Sequence, residues 1–185
     1  MQKPFEIKII EQGWLGSEPD RFDLCSHGKI HLTVTDEIVL DGRDNYGISE
    51  SALALLRTLD HDHGPDKHLA EKLIFHGCGN VLMMGCVIGL DWTVRHIGQD
   101  VIINDIVRWD WPDENRPTRF EGLRAQMTKS DYVAAVLPFT LEVRNFFEGK
   151  DKVFFDDGDR QAYTQFWTEF NTRLDFHLRK QPLNN

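Results

Sequence analysis

Residues 73–108, LIFHGCGNVLMMGCVIGLDWTVRHIGQDVIINDIVR, decide the fold. Leu73-Ile74-Phe75 opens a strand, and Gly77-Cys78-Gly79-Asn80 supplies a turn. Val81 to Leu90 is apolar on both alternating sets, which predicts a central strand covered on both faces. Trp92, Val94 and His96 share one face of the next strand. Gly98-Gln99-Asp100 then returns the chain into Val101–Val107. Turns this short join only antiparallel neighbours. The stretch therefore predicts an antiparallel meander.

Outward from the meander, Phe5–Ile9 and Ile30–Val34 alternate with period two and predict half-buried strands. Thr35-Asp36 turns the chain into Glu37–Leu40, and Asp41-Gly42 is a turn pair expected to end that strand. Ser49 can cap a helix, along which Ala52, Leu55, Leu56 and Leu59 form one apolar face. Gly64-Pro65 cannot continue it. After a polar loop over 109–130, Tyr132, Val136, Phe139, Val143 and Phe147 mark a helix that Pro138 should kink or split. Tyr163, Phe166, Trp167, Phe170 and Leu174 mark a last helix, expected to pack on the sheet. The order predicts an α+β fold. It is a single domain over 1–185, a mostly antiparallel sheet packed against two C-terminal helices and one earlier helix.

The bulk properties narrow the function classes. At 185 residues, with 41% hydrophobic and 28% charged residues, the chain can bury one core. The net charge of −9, with no Lys/Arg cluster, argues against nucleic acid, whose phosphates need a concentrated basic surface. No apolar run spans a bilayer, so no membrane contact is expected. Met1–Glu6 carries no apolar leader, and three cysteines cannot form a pure disulfide scaffold. We expect a reduced, cytoplasmic protein with no cofactor.

Several groupings of reactive residues stand out. His61-Asp62-His63, with His76 or Cys78, has the residue types of a zinc site, since imidazole and thiolate suit zinc. Cys25-Ser26-His27-Gly28 and His76-Gly77-Cys78-Gly79 each place a cysteine near a histidine. Cys78, His76 and His27 would then act as thiolate nucleophile and imidazole base. Trp109-Asp110-Trp111, followed by Asp113, sets two indoles on one strand face beside acids. Such a pair could anchor a partner. No phosphate-binding loop, dinucleotide fingerprint or paired-cysteine zinc ribbon occurs.

These readings support two expectations. The first is an acidic domain that binds a basic protein partner in an accessory or inhibitory role, through Trp109, Asp110, Trp111 and Asp113. The second is a small hydrolase with a zinc or Cys/His site built from residues 25–31 and 61–78.

Overall fold

The computed structural model describes residues 3–15, 20–65, 72–76, 88–110 and 116–180. The strands β1 (Phe5–Gly13), β2 (His27–Val34) and β3 (Glu37–Gly47) lead into α1 (Ile48–Thr58). Then come β4 (Ile74–His76), β5 (Gly89–Ile97), β6 (Asp100–Trp109), β7 (Thr118–Arg119) and β8 (Ala125–Thr128). The chain ends in α2 (Lys129–Phe147) and α3 (Asp157–Lys180). The described strands form one antiparallel sheet in meander order β1 to β7, with β8 on the same edge of β6 as β7. The α+β architecture follows the sequence pattern.

β2 displays the governing rule most plainly. Ile30, Leu32 and Val34 are buried under the helices, while Lys29, His31 and Thr33 alternate on the open face. β6 and β8 repeat the pattern through Val101, Ile103, Ala125 and Met127. α1 covers β2, β3 and β4, and α2 covers β1, β6 and β8. α1 is thus enclosed, and its buried set extends to Ile48, Leu53 and Ala54 as well as the expected apolar face. Its buried hydroxyls are satisfied. Ser51 donates to the Gly47 carbonyl at 2.6 Å and accepts from the Phe75 N–H at 3.1 Å.

Several expectations change on contact with the structure. Asp41-Gly42 does not end β3. Asp41 pairs with His31 and Asn45 with Lys29, so residues 42–44 bulge out and the strand resumes. Gly42 takes φ +80° in that bulge, the conformation the turn pair favours. Leu90 and Trp92 lie on one strand rather than two, since β5 runs unbroken from Gly89 to Ile97. Residues 81–87 of the expected 81–90 strand lie outside the described residues, and Gly89 already belongs to β5. The polar loop contains β7 and β8. α2 is not split at Pro138. Finally, α3 packs on α1 and α2 rather than on the sheet. Its Trp167 ring meets Phe147 at 4.5 Å and Phe170 at 4.9 Å.

Phe170 is fully buried at that helix–helix seam. Phe170→Ala should lower the stability measured by urea unfolding by about 3–5 kcal/mol. A loss below about 1 kcal/mol would mean that α3 is not part of the cooperative core.

Candidate functional sites at the two ends of α1

Reactive side chains gather at both ends of α1. At its N-terminal end, the Ser26 carbonyl accepts the Ile48 N–H at 2.8 Å, and the Ser49 hydroxyl accepts the Ser26 N–H at 2.9 Å. These bonds bring Cys25 and His27 against Glu50. Burial holds the Glu50 carboxyl above its usual range, offset in part by hydrogen bonds from the Cys25 thiol, its own N–H and Ser49. Burial also pushes Asp23 upward, but the nearby His27 imidazole and the N–H groups of Leu15 and Cys25 outweigh it and hold the carboxyl low. His27 Nε2 stands 3.5 Å from Asp23 Oδ2, an ion-pair distance too long for a hydrogen bond. Among the described residues, neither ring nitrogen of His27 has a hydrogen-bond partner. Cys25 and His27 are both buried, which sets this cluster apart from the exposed microenvironment of a reactive thiol.

At the C-terminal end, a different arrangement forms. The backbone of His63 pairs with Val94 of β5 at 2.9 Å in both directions. Its ring Nε2 lies 2.6 Å from Asp91 Oδ1, and that oxygen also accepts the Trp92 N–H at 3.0 Å. Both side chains are buried. Lys72 is buried nearby, with its ammonium 4.4 Å from the centre of the Trp109 ring. Gly89 allows this packing, because a side chain there would strike the Ile74 carbonyl and the Lys72 stem. Arg57 reaches from α1 to Glu169 of α3 with two bonds, 2.8 and 2.7 Å, and Arg173 adds a third at 2.8 Å. The Arg57 guanidinium, against the opposing effect of burial and with help from Arg173, holds the Glu169 carboxyl down to about 2.

The residues singled out from the sequence scatter over this frame. His27 lies opposite Gly47, and His76 lies opposite Tyr46 on the other side of β3. One strand therefore separates them, about 10 Å at the backbone. Cys78 lies outside the described residues. His61 is exposed while His63 is buried against β5. Among the described residues, no three His, Cys, Asp or Glu side chains gather as a metal site requires, so His61, His63 and His76 do not converge. Trp109 is half-buried beneath Lys72, and the Asp110 carboxylate accepts from Arg108 at 2.7 Å. Trp111 and Asp113 lie outside the described residues. The His63–Asp91 pair was not foreseen. Its one sequence signal is an acid placed inside an apolar strand.

Among the described residues, no helix is long and apolar enough to cross a membrane. No family model matches the chain, and no curated protein or solved structure does so either.

The Glu169 cluster carries a pH signature. A carboxyl lowered from 4.5 to about 2 contributes stability above its ordinary range, and that contribution disappears as pH falls through the lowered value. Glu169→Gln should be less stable than the parent at pH 7, modestly so because the pair is partly solvated. Urea titrations at descending pH should show the difference narrowing below 4.5 and closing near 2. A difference constant over that window would contradict the assignment.

Proposed function

We propose that this chain is a protein-binding domain for a basic partner, and that the partner meets the connection between α2 and α3. One observation carries the reading: Phe155 is 81% exposed in the middle of an acidic segment. Its ring stacks on Phe22, centre to centre 6.0 Å. The segment itself is anchored. Val153 N–H bonds the Arg21 carbonyl at 2.8 Å, and Lys152 Nζ bonds the Asp23 carbonyl at 2.7 Å. Val153 and Leu15 are further exposed apolar side chains on the adjoining strips of chain. Asp151, Asp156 and Asp157, all exposed, flank Val153 and Phe155 along the chain and outnumber the cations Lys152 and Arg160 beside them.

An apolar centre with an acidic margin matches the anatomy of a protein interface, where a few aromatic anchors hold and the rim charges steer. Asp156 also caps α3 by accepting the Asp159 N–H at 2.8 Å, and Asp157 favours the helix dipole. Capping explains why acids stand at a helix start. It does not explain why Phe155 stands outside the core. The indole of Trp109 is covered by Lys72, so Phe155 is the better anchor of the two. The acidic surface suits an accessory or inhibitory role against a cationic protein.

The test is capture at low salt with the parent chain, followed by titration of each recovered, purified protein against parent and Phe155→Ala. Phe155→Ala should leave thermal stability nearly unchanged, because the ring is exposed. It should weaken a cationic partner by about tenfold or more, chiefly through faster dissociation. Asp151→Asn with Asp157→Asn should slow association and flatten its salt dependence. A partner of net negative charge, or one bound equally by Phe155→Ala, would overturn the proposal.

A further inference from the structure

A pocket of about 270 Å³ opens between the end of α1, residues 61–63, β4 and α3. Its wall includes Arg57, His61, His63, Lys72 and Arg173, with Asp62 as its acid. In a chain of net charge −9, that concentration of nitrogen donors is locally inverted. The pocket's carboxylates are already engaged. Asp62 accepts from the His96 N–H at 2.8 Å and from Arg95 at 3.2 Å. Glu169, beside the pocket, takes both fork bonds of Arg57.

Arg173 and His63 are two wall groups with unused capacity, and the exposed ring of His61 is another. Arg173 gives only its Nε to Glu169, so its two Nη groups make no hydrogen bond among the described residues. His63 is buried and gives Nε2 to Asp91, so its Nδ1 likewise makes none. The Asp91 carboxylate only accepts, which places the imidazole proton on Nε2 and leaves Nδ1 as an acceptor when the ring is neutral. A guanidinium end presents paired donors to an oxyanion. A buried imidazole acceptor, held by a buried carboxylate, presents a site for a hydroxyl proton.

We propose that this pocket binds a small oxyanion that also carries a hydroxyl group, the anionic end on the Nη groups of Arg173 and the hydroxyl on Nδ1 of His63. The volume corresponds to about nine waters at roughly 30 Å³ each, enough for a short polyol phosphate or hydroxy acid. Leu73 and Phe75 supply the apolar wall on which a short carbon skeleton can rest. This site is independent of the partner surface proposed above. It lies at the other end of the helical layer and uses none of the same residues.

Histidine-ring NMR on the full chain tests it. The chain is titrated with glycerol 3-phosphate, with glycerate and with uncharged glycerol at constant ionic strength. The His63 ring signal, assigned by its loss in His63→Asn, should move saturably with one or both anions and stay still with glycerol. The anion that binds more tightly identifies the head group as phosphoryl or carboxylate. Arg173→Gln should weaken that binding by about tenfold or more, and Arg173→Lys should recover part of it. Absence of any saturable movement of His63 in the parent chain would overturn the proposal, whether or not the Arg173 variants fold. Binding unchanged in a folded Arg173→Gln would overturn it equally.

Discussion

Phe5 and Trp92 should not be able to touch. They lie on β1 and β5, four strand spacings apart, which is about 19 Å across a flat sheet. Yet their ring centres stand 5.9 Å apart, and both rings are buried. The sheet must therefore curl around its helical face until its far strands meet over one core. Tyr132 of α2 closes the gap, with its ring 5.6 Å from Phe5 and its hydroxyl 2.8 Å from Thr58 Oγ1 at the end of α1. Two strands and two helices meet at that point. Aromatic pairs of this kind add about 0.5–1.5 kcal/mol beyond area burial. The enclosed hydroxyl pair avoids the penalty of an unbonded buried donor.

The bulges make the curl feasible. Ile10 is the extra residue in β1 opposite β2, and residues 42–44 bulge from β3 almost beside it. Asp105 sits at φ +51° in a third irregularity, where its carboxylate accepts from Thr93 at 2.9 Å. Each bulge sharpens local twist and bends its strand. β4, three residues long among the described residues, joins β3 to β5. Curvature in turn explains where reactive groups collect. α1 lies inside the curl, so the strand ends that approach its two termini bring Cys25 and His27 against Glu50 at one end. They bring His63, Asp91 and Lys72 to the other. Thr58 belongs to both the aromatic closure and the pocket wall, which ties the site to the core.

Local pattern made part of this legible. The alternation of Ile30, Leu32 and Val34, the leucine face of α1 and the tight return at Gly98-Gln99 each reflect forces acting within a few residues. What stayed hidden depends on distant partners. Asp41-Gly42 carries turn chemistry, and a bulge uses the same positive φ as a turn, so the dipeptide alone does not separate the two. β7 is two residues long, too short for any periodicity. The aromatic stripe of α3 declares a buried face without naming its cover, and the cover is a pair of helices. Asp91 reads as a break in an apolar run until His63, 28 residues earlier, is placed against it. Histidine and cysteine spacing pointed to residues 25–31 and 61–78, but the pairings there cross strands, and spacing along the chain does not encode them.

The central claim is that the curled sheet and its helices form one cooperative unit, closed at Phe5, Trp92, Tyr132 and Thr58. Native-state hydrogen exchange in rising denaturant, on the parent chain and on Tyr132→Phe, tests it most directly. The account predicts that amides of Ile30, Leu32, Val94, Leu56 and Val136 open with one common free energy equal to that of global unfolding. It predicts that Tyr132→Phe lowers all of them together by about 1 kcal/mol. Opening of α2 at a distinctly lower free energy than the strands, or an effect of Tyr132→Phe confined to α2, would contradict it.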